Sequence, residues 1–116
     1  MNIQRMHSGA RMSQVVVHGD TIYLAGQVAS GAPGGTVAEQ TRDILERIDG
    51  YLAEAGTDKS KLLSATLWIT DMANFGEMNA VWDAWISPGN APCRACVEAK
   101  LASDKYNVEI MLVAAK

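Results

Sequence analysis

The sequence predicts a sheet-and-helix domain in which two helices cover one face of a sheet of about six strands. Three observations lead there: short alternating apolar runs crowd both ends of the chain, two stripes of helical spacing lie between them, and turn residues mark the boundaries. The order reads β-β-β-α-β-α-β-β as one domain across residues 1–116, with no internal repeat and no linker.

A short strand is expected from Ile3 to His7. Val15 to His18 and Thr21 to Gly26, joined through Gly19-Asp20, read as a β-hairpin. Ala29 to Gly35 is a flexible Gly-rich loop without the Gly-Lys-Ser/Thr ending that a phosphate-binding loop needs. Thr36-Val37-Ala38-Glu39 is a capping box that opens the first helix. Val37, Ile44, Leu45, Ile48, Leu52 and Ala55 fall on one face of it, charges on the other, and Gly56 ends it. Leu62 to Thr70 alternates as a strand. Asn74 to Ile86 returns to helical spacing with Phe75, Met78, Val81, Trp82 and Trp85 on its apolar side, until Pro88-Gly89-Asn90 breaks it. Cys93 to Leu101 and Tyr106 to Ala114 are two closing strands, joined as a hairpin by Ala102 to Lys105.

Two helices can cover only one face of such a sheet. The apolar fraction of 48% is high for 116 residues, so the second face is expected to be buried between copies of the chain. A net charge of -3 and the lack of any Lys/Arg run leave no electrostatic footprint for nucleic acid. Met1 to His7 has no apolar leader core, and no run approaches membrane-spanning length. A cytoplasmic protein without membrane or nucleic-acid partners is the expectation.

Cys93 and Cys96 form a C-x-x-C, which invites a redox or zinc reading. In a strand, residues three apart point to opposite faces, roughly 10 Å from each other, which is too far for a disulfide. The only histidines, His7 and His18, lack paired ligand spacing, so no metal site is assembled.

Arg94 stands out instead. It follows Pro92 at the start of a run that reads as a buried strand, and a guanidinium in such a place needs an anionic partner. That partner is a carboxylate of the fold (Glu98 on the same face, or Glu109 across the hairpin) or a carboxylate of a ligand. Asn79, at the edge of the second helix's stripe, is a further candidate, because a bare amide there must find partners. Trp82 and Trp85 read as packing residues.

These residues resemble a known family. Gly26-Gln27 closing a strand, Asn79 within a helix, Pro92-x-Arg94-x-Cys96-Val97-Glu98 and Val108-Glu109-Ile110 are similar to the reactive intermediate (enamine/imine) deaminases, also called Rid or YjgF-like. The resemblance runs from about Val15 to Ala115, and Met78 to Trp85 looks closer to a bacterial side branch than to the central group.

It implies an α+β, chorismate-mutase-like fold with a mixed sheet, and a homotrimer with clefts between subunits. It further implies a cofactor-free hydrolase of the 2-iminobutanoate/2-iminopropanoate deaminase kind, turning a short-lived enamine, through its imine, into a 2-keto acid and ammonia. By this likeness Arg94 grips the carboxylate of the 2-imino or 2-keto acid. Backbone groups of Gly26 and Cys96 contact the reacting end, and Asn79 shares the neighbourhood. The chain departs from the central group at three places: Met111 stands where a water-positioning glutamate is usual, Met12 where a tyrosine is, and Ala25 where a hydroxyl residue is. Those departures keep two alternatives in view. One is a carboxylate-binding module without turnover, and the other is a chaperone-like trimer in which Arg94 is structural.

Overall fold

The computed structural model describes residues 2–116. Its strands are β1 (Ile3–Ser8), β2 (Ser13–His18), β3 (Thr21–Val28), β4 (Leu62–Ile69), β5 (Cys93–Glu98) and β6 (Val108–Ala115). The helices are α1 (Val37–Glu54) and α2 (Phe75–Trp85), and short 3-10 turns precede β4 and α2. The strands form one six-stranded sheet in the order β1-β2-β3-β6-β4-β5. Every pairing is antiparallel except β4 with β5, which is parallel. The result is the α+β fold with a mixed sheet.

Local chemistry accounts for each element. β2 and β3 turn through Gly19, whose φ of 61° is one that glycine adopts without strain. The Thr36 hydroxyl accepts from the Glu39 N–H and the Glu39 carboxylate accepts from the Thr36 N–H, so the expected capping box is formed at α1. Ile44, Ile48 and Leu52 of α1 are fully buried. Each such side chain contributes roughly 1.5–3 kcal/mol, so packing rather than propensity holds the helix.

The sheet's inner face carries Val15, Ile22, Leu24, Leu67, Ile110 and Leu112 against both helices. Its outer face has no helix on it. Tyr23 (47% exposed), Val97 (46%) and Met111 (38%) lie there in the open. This is the uncovered face expected from the helix count.

Two expectations for the last strands are overturned. β5 and β6 do not form a hairpin, because β6 inserts between β3 and β4, where Val108, Ile110, Leu112 and Ala114 are buried as a central strand requires. β5 leaves α2 and runs parallel to β4, the geometry of a strand-helix-strand crossover. β5 is also not buried: it is an edge strand, and Arg94 on it is exposed.

The loop after β3 is tied down. Gln40, fully buried in α1, donates to the Gly35 carbonyl (3.2 Å) and the Lys105 carbonyl (2.8 Å) and accepts from the Asn107 N–H (2.7 Å). One side chain therefore holds the Gly-rich loop and the β5–β6 connection to the helix.

Candidate active site

α2 lies over β5, and the spacing along the helix decides what meets Arg94. Phe75, Asn79 and Trp82 fall at i, i+4 and i+7, one line on the helix surface. The Arg94 Nη1 donates to Asn79 Oδ1 at 2.9 Å. Its guanidinium carbon lies 5.3 Å from the centre of the Trp82 ring and 5.7 Å from that of Phe75. These contacts orient the cation through ring faces and one neutral acceptor.

Neither expected internal carboxylate pairs with it. Glu98 shares the Arg94 face of β5 but accepts from the Met72 N–H at 2.9 Å. Glu109 sits on β6 opposite Trp68, a whole strand away and on the other face of the sheet. Among the described residues the ion pairs are His7–Glu54 and Arg47–Asp43, so Arg94 keeps its charge without a counter-ion. The guanidinium neither strands nor neutralises an acid of the fold, and a ligand carboxylate can meet its fork.

Cys96 follows two residues along on the same face and is half-buried. Burial pushes its thiol above the ordinary range, with the Arg94 charge pulling the other way. It therefore stands as a neutral thiol, a weak donor rather than a thiolate nucleophile. Cys93 faces the opposite way, its sulfur 3.2 Å from the Leu63 carbonyl, and both thiols are free.

The other sequence-predicted residues lie elsewhere in the chain. Between Leu24 and Gln27 the β3–β6 register slips, so Ala25 and Gly26 face Met111 across a bulge. Gln27 is buried and braces that bulge through its donations to Gln14 Oε1 (2.8 Å) and the Ala25 carbonyl (3.0 Å). The Glu109 carboxylate lies over Gly26, where a methyl group would have to push the end of that side chain aside. Met12 is exposed in the turn before β2.

Within one chain these residues form two groups. Arg94, Asn79 and Cys96 lie at the β5 edge on the helix side, whereas Gly26, Glu109 and Met111 lie on the open face. β4 and β6 stand between β5 and β3, a span of roughly 14 Å at sheet spacing.

Sequence reasoning missed two features of the site. Trp82, read as packing alone, is both a core residue and a platform for Arg94, and Phe75 is a second platform. The i, i+4, i+7 line ahead of an arginine-bearing crossover strand was the available signal. The contact of Glu109 with Gly26 was also missed, because it depends on the bulge.

The comparisons with known proteins agree with this fold. Residues 2–116 match the family model described as Endoribonuclease L-PSP. A RutC family protein of Haemophilus ducreyi is 42% identical over 113 residues, covering 97% of this chain and 96% of that protein. The RutC family protein YoaB of Escherichia coli is 42% identical over 118 residues, covering 99% of each. The crystal structure of NMB1025, a YjgF family member from Neisseria meningitidis, superimposes with a TM-score of 0.96 at 44% identity, covering 100% of this chain and 96% of the other. The motif around Arg94, the mixed sheet and these relatives together establish that the chain belongs to the endoribonuclease L-PSP family, the YjgF/Rid group its motifs resemble.

Proposed function

We propose that three copies of the chain assemble with their open sheet faces together and hydrolyse small 2-imino acids in the clefts between them. In each cleft Arg94, Asn79 and Cys96 of one copy meet Gly26, Met111 and Met12 of a neighbour. The observation that carries this reading is the exposed Arg94 guanidinium, positioned by Asn79, Phe75 and Trp82 and without a carboxylate of its own fold. A guanidinium fork holds a carboxylate by two parallel hydrogen bonds, which fixes the plane of a 2-imino acid as well as its place.

The chemistry asks little beyond that. A protonated imine is already electrophilic, so orienting it beside one water supplies much of what hydrolysis needs. Water adds to the imine carbon, the carbon–nitrogen bond breaks, and a 2-keto acid and ammonium leave. The neutral Cys96 thiol fits a role beside the reacting end better than one in covalent attack. The family description carries the word endoribonuclease, but a net charge of -3 without a Lys/Arg run is unsuited to the phosphate backbone of a polynucleotide, whereas the one guanidinium of Arg94 is enough for a single small carboxylate.

The apolar cleft residues Met111, Met12 and Ala25 give a second reading, a module that binds 2-keto acids without turnover. One experiment separates them. Freshly generated 2-imino acid is mixed with the protein and its decay followed against buffer. The deaminase reading requires faster decay, the binding module requires saturable 2-keto acid binding without it, and a structural or chaperone-like role gives neither.

Arg94→Lys then tests the clamp. Arg94 is exposed and its removal strands no acid, so stability should stay within about 0.5 kcal/mol of the parent. An ammonium lacks the planar fork, and turnover should fall by about 100-fold or more. A wild-type rate in Arg94→Lys would remove the arginine from the clamp.

A further inference from the structure

On the open face, one acid has no partner. Glu109 accepts no hydrogen bond and meets no cation among the described residues, although it is half-buried on a central strand. Its carboxylate lies against Gly26, in space that a side chain at residue 26 would take from it. The bulge that sets Gly26 there is braced by the buried Gln27. The next residue on the same row of β6 is Met111, which can neither accept nor donate a proton usefully.

From this arrangement we propose that Glu109 is the water-holding carboxylate of the hydrolysis, reaching the reacting end across the backbone of Gly26. The proposal rests on the deaminase reading given above. An unpaired carboxylate beside the reacting carbon accepts a hydrogen bond from water and takes its proton as the oxygen attacks. The electron pair of the C=N π bond moves to nitrogen, giving a tetrahedral carbinolamine. Glu109 then returns the proton to that nitrogen. The carbon–nitrogen bond breaks, the hydroxyl proton departs with the ammonia as ammonium, and the carbonyl of the 2-keto acid forms. Nothing is oxidised or reduced, and Glu109 ends as it began.

The small size of Gly26 then matters to the site, since a side chain there would push the carboxylate away from this position. The arrangement also gives the chain a general base two residues away from the position at which the family's central group carries its glutamate.

The test uses the full-length chain in its assembled form, with 2-imino acid turnover and 2-keto acid binding measured on the same preparations. Glu109→Gln keeps the shape and removes the base. Its kcat should fall by about 100-fold, within the range a general base contributes, while KM and 2-keto acid affinity stay within about twofold. Glu109→Asp, one methylene shorter, should recover part of that loss. Gly26→Ala should lower kcat in the same direction by displacing the carboxylate. A Glu109→Gln variant with wild-type kcat would overturn the proposal. So would loss of keto acid binding along with turnover, because Glu109 would then be shaping the fold. An unmutated protein that leaves imines untouched would overturn the deaminase reading itself, and that outcome is recognisable before any variant is made.

Discussion

At Cys96, burial pushes the thiol up and the Arg94 guanidinium only partly offsets it. A sulfur that stays protonated cannot act as a thiolate, so under the proposed function the contribution of Cys96 would come from its backbone and its small volume. Cys96→Ser should accordingly retain imine hydrolysis within about threefold of the parent, and a complete loss would reinstate the sulfur as a nucleophile. The pH dependence has a definite sign. In the alkaline range above the unfolded thiol's pKa, the unfolded chain binds fewer protons at Cys96 than the folded one, so stability falls as pH rises there. Denaturant titrations on the alkaline side should show a shallower fall for Cys96→Ser. Arg94 was legible in the sequence as a residue in need of explanation, because an unmatched guanidinium after Pro92 is conspicuous among apolar neighbours. Its actual acceptor, the amide of Asn79, was not legible as a partner. That pairing depends on where α2 crosses β5, which no spacing within either element encodes.

Elements whose determinants are local were read well. The Thr36 capping box, the α1 stripe and the Gly19 turn each rest on residues a few positions apart. The β5–β6 hairpin was read wrongly for the same reason: nearness in sequence suggested pairing, whereas the order of strands is decided by which of them needs two neighbours. β6, apolar at every second position, takes the centre, and β5 is left at the edge. Gln40 shows what a polar residue inside an apolar stripe can signal. It lies on the buried side of α1, and its three hydrogen bonds close two loops onto the helix. Gln40→Ala leaves the Asn107 N–H and two carbonyls without their partner in a buried setting. The expected cost is about 2–4 kcal/mol, measurable as a lowered urea midpoint, with the amides of residues 34–36 and 105–107 exchanging faster. An unchanged midpoint would mean that water replaces the side chain.

For the molecule as a whole, the uncovered sheet face followed from counting helices against strands, and the described residues leave Tyr23, Val97 and Met111 open on it. Among those residues no helix is long and apolar enough to cross a membrane. The division of the site was beyond sequence reading, because it depends on strand order and on which face each row occupies. Arg94 points to the helix side of one edge, and Glu109 points to the open side near the middle. That division has a genetic consequence. If each cleft takes its arginine from one copy and its glutamate from the next, two inactive variants can repair each other. Arg94→Ala and Glu109→Gln chains, each about 100-fold or more below the parent alone, should regain roughly a quarter of the unmutated activity when unfolded together in equal amounts and refolded, since one junction in four joins two intact halves. The same mixture refolded separately and then combined should stay inert unless subunits exchange. Light scattering on the co-refolded material reports whether it is trimeric, and a trimer without recovered activity would place both residues in clefts of a single copy. Dominance would follow the same arithmetic: in a cell carrying one sound copy of the gene and one of either variant, every assembly with a sound donor next to a sound acceptor still works.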